Sequence, residues 1–263
     1  MPVPAIFFFL VCLFSEAILF VYNRADAYAA LGAFAYGLVL WLITRACIRS
    51  SPAAEESTLK AQATGLRLYA RIAVVVASLL FVALRANTGF FLVWRGDTAF
   101  TAFISEALIP GLLLFALGAK PIELGLGKWA KGSWFALLGA LVFPTIMAAL
   151  WFTKGHASVG LLIFMLARNF LGPGISEEFL MRGMTMSHLR AFFSNGWAVA
   201  VQALLFGVLH FQTGGNALLT LADVIALNAP MGFFLGLIAL RARSVVLTGL
   251  IHTTLDTLKD IVM

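Results

Sequence analysis

The strongest constraint on the fold is a succession of apolar runs, each close to the roughly 20 residues a helix needs to cross a bilayer. They fall at Val3–Val21, Tyr28–Ile48, Leu68–Leu84, Thr98–Leu117, Trp134–Phe152, Val159–Leu180, Trp197–Phe211, Leu218–Leu240 and Val245–Val262. The chain is 62% hydrophobic and 11% charged, against about a quarter charged in soluble domains. The expected fold is therefore all-α: a polytopic transmembrane helix bundle of eight to nine spans. Eight remains open because several runs are short or carry Pro110, Pro144, Pro173 or Pro230. Pro173 is expected to kink or start a helix.

The N-terminal run is read as a span. Ala25-Asp26-Ala27 has the small-x-small form of a cleavage site, but no basic region precedes the run, which is longer than a signal peptide's apolar core. Cys12 and Cys47 fall inside spans, too far apart for a metal or disulfide framework, and read as packing residues. Ser50–Gly65 reads as a water-soluble loop, Gly118–Ser133 as a second polar connection, and the short run Gly89–Trp94 as interfacial.

Basic residues orient the bundle. With nine spans, the even-numbered connections hold Arg45, Arg49, Lys60, Arg67, Arg71, Lys120, Lys128, Lys131, Arg182, Arg190, Arg241 and Arg243. The odd-numbered ones hold Arg24, Arg85, Arg95 and Lys154. This bias puts the N-terminus and the even connections in the cytoplasm. The net charge of +6 then reflects topology and anionic lipid, and nucleic acid is not expected as a partner.

Ionisable groups inside spans concentrate in the second half: Arg168, Glu177, Glu178, His210, Asp223, His252 and Asp256. Such groups are costly in lipid and by default suggest function. Glu178 and Arg182 are four apart, acid first, the favourable order for an ion pair on one helix face. Glu177 points about 100° away from its neighbour. His252 and Asp256 are also four apart, while His210 is the only ionisable group in its run. Each piece alone has a structural explanation: a buried staple, a core histidine, a helix-stabilising pair. Arg168 is expected to satisfy one of the paired acids. Glu16, Glu106 and Asp223 show no partner by spacing and read as packing or cavity-lining groups. His156 and His188 read as solvated loop residues.

A Glu and two His that converge suit two chemistries. Two imidazoles, a carboxylate and water form a catalytic zinc set, here Glu177, His210 and His252. Without metal, a carboxylate serves as general base and imidazoles hold the water and the oxyanion. Spacing does not separate these. Depth poses a further question: His252 lies about 12 Å past Ser244 along its helix, and His210 about 20 Å past Trp197, at 1.5 Å per residue.

In order, "EEFLMR" (Glu177–Arg182), "FGVLH" (Phe206–His210) and "HTTLD" (His252–Asp256) match EExxxR, FxxxH and HxxxN/D motifs. On successive apolar runs they resemble the CPBP family of intramembrane proteases, the CAAX prenyl-protease type II or Abi family. The segment "GFFLGLIALRARSVVLTGLIH", with Gly232, Gly236 and Ser244, is similar to that family too. The resemblance covers residues 118–263 as a protease core, and residues 1–117 form N-terminal helices without a family match.

The resemblance implies a catalytic group of Glu177 and His210 activating water, with His252 at the oxyanion site and Asp256 where the family usually has Asn. It implies that Glu178 and Arg182 support the site. An ionised Asp256 would repel an oxyanion, so its expected role is to keep His252 a cationic donor. No cofactor is favoured, with zinc the alternative. The implied substrate is a membrane-embedded or lipid-anchored protein or peptide, and the expected location is a bacterial inner membrane with the active site toward the cytoplasm. The competing functions are an ion- or proton-coupled transporter and a non-catalytic immunity or binding scaffold.

Overall fold

The computed structural model describes residues 2–48, 65–88, 98–153, 158–213 and 215–262. The expected loop after Ile48 (apart from Gly65), the run Gly89–Trp94 and His156 lie outside them. Each of the nine apolar runs is helical: α1 (Pro2–Tyr22), α2 (Arg24–Cys47), α3 (Leu66–Thr88), α4 (residues 98–116), α5 (Ser133–Thr153), α6 (Val159–Leu189), α7 (Asn195–Leu209), α8 (Ala217–Ala242) and α9 (Val245–Val262). The described residues form no strand, only one isolated bridge between Leu126 and Ser244. The fold is an all-α helix bundle.

Seven runs, α1 to α6 and α8, are long and apolar enough to cross a membrane by length and composition. The other two have local reasons to fall short. α7 has 15 residues, about 22 Å of helix, and α9 carries Asp256, Lys259 and Asp260 in its second half.

Side-chain chemistry marks the helix ends. Asn216 caps α8 by accepting from the Leu218 amide at 3.0 Å, and Ser158 caps α6 through Leu161 at 3.2 Å. The α8–α9 turn is only two residues long. Arg243 takes a left-handed φ of 58° to end α8, and the Ser244 hydroxyl accepts from the amides of Val246 and Leu247 to start α9.

α8 is the axis of the bundle. In its best apolar window 72% is buried, against 22–39% for the other candidate spans. Phe8 of α1 stacks on Phe233 at 4.4 Å, and Phe34 of α2 meets Phe234 edge-on at 5.5 Å, so the N-terminal helices are part of the core. Outward faces stay apolar: Trp134, Phe135, Leu138, Val142, Ile146 and Leu150 form an exposed stripe along α5, as lipid contact requires.

The expected break at Pro173 is present. Gly172 leaves helical geometry (φ −75°, ψ −105°) within the wide π turns of Phe170–Glu177, and further π turns follow at Phe179–Met186. Such turns collect at functional sites, and here they flank the paired acids. α6 and α9 meet backbone to backbone beside this kink. A Cβ on Gly174 would stand 2.2 Å from the Thr253 hydroxyl, 2.8 Å from the Asn169 carbonyl and 3.0 Å from the Gly249 carbonyl. Small residues at such crossings let helices approach where lipid offers no hydrophobic drive.

The even-numbered connections gather at one end. Val245 donates to the Gly125 carbonyl and Ala130 to the Ala242 carbonyl, each at 3.0 Å. Arg241 donates to the Ile48 carbonyl at 2.7 Å, and Arg71 pairs with Glu123 at 3.0 Å. Arg182, counted with the connection after α6, instead lies inside that helix and is buried; the other described basic residues of these connections stand at this end.

Gly174→Ala is expected to cost about 1–3 kcal/mol by overpacking, because two of the atoms it meets are backbone. It should lower the melting temperature in detergent. Gly32→Ala, where nothing lies within 4 Å, should not, and equal melting of the two variants would refute the close α6–α9 contact.

Candidate active site

Four helices meet around Arg182, whose side chain is fully buried. Its Nη1 lies 2.8 Å from Glu178 Oε1, the i,i+4 pair expected from spacing. Its Nη2 donates to the Gly232 carbonyl of α8 at 3.1 Å, and the guanidinium sits 4.6 Å over the Phe206 ring of α7. Gln202 donates to the same carbonyl at 2.9 Å. His252 of α9 completes the cluster, its Nδ1 donating to Glu178 Oε1 at 3.0 Å. Buried ions persist only when paired and hydrogen-bonded, so Glu178 is committed to neutralising its neighbours.

Glu177 is left to face elsewhere. Its carboxylate turns into a cavity of about 190 Å³, walled also by Val82, Arg85, Glu106, Leu180, Met181, Phe206, Leu209, His210 and Gln212. That is room for several waters. Glu177 Oε2 lies 3.9 Å from His210 Nε2, and the two side chains are 29% and 36% exposed. The gap is too long for a direct hydrogen bond and short enough for one water to touch both.

The His210 ring is oriented by its own helix. Its Nδ1 stands 2.8 Å from the Phe206 carbonyl, and a carbonyl only accepts, so Nδ1 carries the hydrogen. In the neutral ring Nε2 is then an acceptor. This bond also resolves the difference in depth. It folds His210 back one turn, so that both histidines flank Phe206, with ring centroids 4.8 Å (His210) and 6.0 Å (His252) away.

The structure therefore joins Glu177 and His210 on one cavity and holds His252 behind Glu178. The contact between His252 and Asp256 is present, Nε2 to Oδ2 at 3.4 Å, so both ring nitrogens of His252 face carboxylates. Among the described residues no three His, Cys, Asp or Glu side chains group as a metal site. As placed, Glu177, His210 and His252 do not fit as a zinc set, because His252 has no nitrogen directed at the other two.

Several expectations change. Arg168 pairs with Asp260 at 3.6 Å and not with the paired acids, because Asn169, bonded to Asp260 at 2.9 Å and Thr257 at 3.2 Å, docks this turn against the far end of α9. His188 is not a solvated loop residue. It is half-buried in the last turn of α6, with Nδ1 2.7 Å from the Met184 carbonyl. Glu106 gains a partner: it forms an ion pair with Arg85 of α3 and shares the cavity with Glu177. Arg85, Glu106 and Gln212 are the site residues that spacing did not indicate, since each comes from a different helix or loop. A lone intramembrane acid such as Glu106 was the available signal.

The cavity also lies away from the basic end. Exposure rises from zero at Arg182 and Glu178 to Glu177, His210 and then the exposed Gln212. Arg85 is near the end of α3, and His210 ends α7, both helices having started at the basic end.

No curated protein and no solved structure matches the chain. Residues 158–258 match the family model described as type II CAAX prenyl endopeptidase Rce1-like, and that segment holds the entire acid–histidine cluster. Over that segment, less than half of its length, the chain is similar to the CPBP/CAAX protease family of membrane endopeptidases.

Proposed function

We propose that the protein is a glutamic intramembrane endopeptidase in which Glu177 and His210 activate one water against a peptide bond of a membrane-associated substrate. The supporting observation is the pair of acceptors 3.9 Å apart on one cavity. With Nδ1 of His210 tied to the Phe206 carbonyl, Nε2 and the Glu177 carboxylate each take one hydrogen of a water between them. The water's lone pair then points away from both, toward a carbonyl carbon entering the cavity.

As the water oxygen bonds to that carbon, its proton passes to Glu177 as general base. The carbonyl π electrons move to oxygen, forming a tetrahedral oxyanion. When the C–N bond breaks, Glu177 returns the proton to the leaving amine.

Glu178, Arg182 and Asp256 act through others. Glu178 and Asp256 hold His252 from both sides, and Arg182 anchors Glu178. For His252 to donate to the oxyanion, its Nε2 turns from Asp256, the longer of its two contacts. The metal-free reading follows the fit of the donors, and metal content of the purified active protein tests it: stoichiometric zinc that is needed for turnover would replace it.

Glu177→Gln should reduce turnover about 10²–10⁴-fold, the usual range for a general base, with little change in melting temperature because Glu177 anchors no other side chain. Glu178→Gln should instead destabilise the protein by about 3–5 kcal/mol, leaving Arg182 buried and unpaired. The readout is the set of membrane proteins whose gel mobility differs between wild type and each variant, together with thermal melting. Full proteolysis by Glu177→Gln would end the mechanism.

Asp256→Asn keeps an acceptor beside His252 Nε2 and should retain activity. Asp256→Leu should lose about tenfold or more, the scale of a lost hydrogen bond to a charged group. Equal losses in the two variants would remove Asp256 as a support of His252.

A further inference from the structure

We infer that Arg85 and Glu106 form a positioning pair for the catalytic base: Glu106 holds Arg85 away from Glu177 and so keeps Glu177 free to take a proton. The inference rests on Glu177 being that base; the pair itself rests on the placement of charge around the cavity.

Besides His210, the cavity is lined by Arg85 from α3, Glu106 from α4 and Glu177 from α6. Among the described residues Arg85 is its only lysine or arginine, and it pairs with Glu106. Among those residues Glu177 pairs with neither a lysine nor an arginine, and its Oε2 accepts no hydrogen bond. The two carboxylates repel each other, so the cation has a choice of partner. Burial decides it. The Glu106 side chain is 1% exposed and that of Glu177 29%, and the acid that water reaches less has more need of a cation. Arg182, the other arginine close enough to feel the charge of Glu177, is held by Glu178 in the same way. Each arginine near the base is thus occupied by a different acid.

The choice matters to the chemistry. An arginine donating to Glu177 would occupy the lone pair that receives the water's proton, through a bond about twice as strong as one between neutral groups. A carboxylate held in that way is a poor base. Buried ion pairs add little to stability over well-packed apolar side chains, so joining α3 to α4 does not by itself account for charge at this position. Both cavity acids also stand in wide π turns, Glu106 in Phe103–Leu108 and Glu177 in Phe170–Glu177, and such turns collect at functional sites. α3 and α4 lie outside the segment 158–258 that matches the family model, so the pair is contributed by the rest of the chain.

The test uses the full chain in its membrane. Dicyclohexylcarbodiimide modifies carboxyl groups that are not held in an ion pair, and peptide mass spectrometry locates the adduct. In the wild type Glu177 should be modified and Glu106 spared. Glu106→Gln should protect Glu177, and adding Arg85→Met to it should leave Glu177 reactive again. Equal modification of the two acids in the wild type, or no protection of Glu177 by Glu106→Gln, overturns the inference. The second readout is the rate, per folded enzyme, at which cleaved membrane proteins accumulate. Glu106→Gln should slow it about tenfold or more, the scale of one hydrogen bond to a charged group, and adding Arg85→Met should recover it. A pair that only joins α3 to α4 would lower the melting temperature on Glu106→Gln and leave this rate unchanged. Proteolysis by Glu177→Gln would remove the base reading, while the labelling pattern, which needs no turnover, still judges the pair.

Discussion

Everything in the site depends on a buried cation being matched. Arg182 has no route to water, and its charge is balanced by Glu178 and bounded by the Phe206 ring and the Gly232 carbonyl. These partners come from α6, α7 and α8, and His252 adds α9 through Glu178. In lipid, where apolar side chains gain little by leaving their surroundings, packing and polar contacts hold helices together. A matched charge at the meeting point of four helices therefore fixes their register.

That network explains why two acids stand side by side. Adjacent residues on a helix diverge by about 100°, so one carboxylate serves the buried ions while its neighbour faces the cavity. Were a single acid asked to do both, its charge would be neutralised by Arg182 and it would be a poor base. The π turns on either side of Glu178 and the break at Gly172 belong to the same arrangement, because α6 needs to bend away from α9 and still bring residues 177 and 178 to their separate partners.

Much of this is legible in the sequence. The nine apolar runs became nine helices because helix length is dictated by bilayer thickness and backbone polarity. Glu178–Arg182 and His252–Asp256 were legible because both partners lie on one helix, where spacing is distance. Arg168 misled for the same reason: proximity in sequence suggested Glu177 or Glu178, while Asn169 and Asp260 across the α6–α9 contact took it. Glu106 looked isolated because Arg85 lies on another helix.

The sequence alone determined that this chain is a bundle of apolar helices, where α6 breaks, and which polar residues pair along a helix, since each follows from local periodicity and chain stiffness. Only the tertiary structure decided that His252 bonds to Glu178, that Glu106 and Arg85 share the cavity of Glu177, and that this cavity faces away from the basic connections. Those facts depend on rotation and depth of helices relative to one another. They arise from packing at glycine crossings and from matching buried charge, which no single helix encodes.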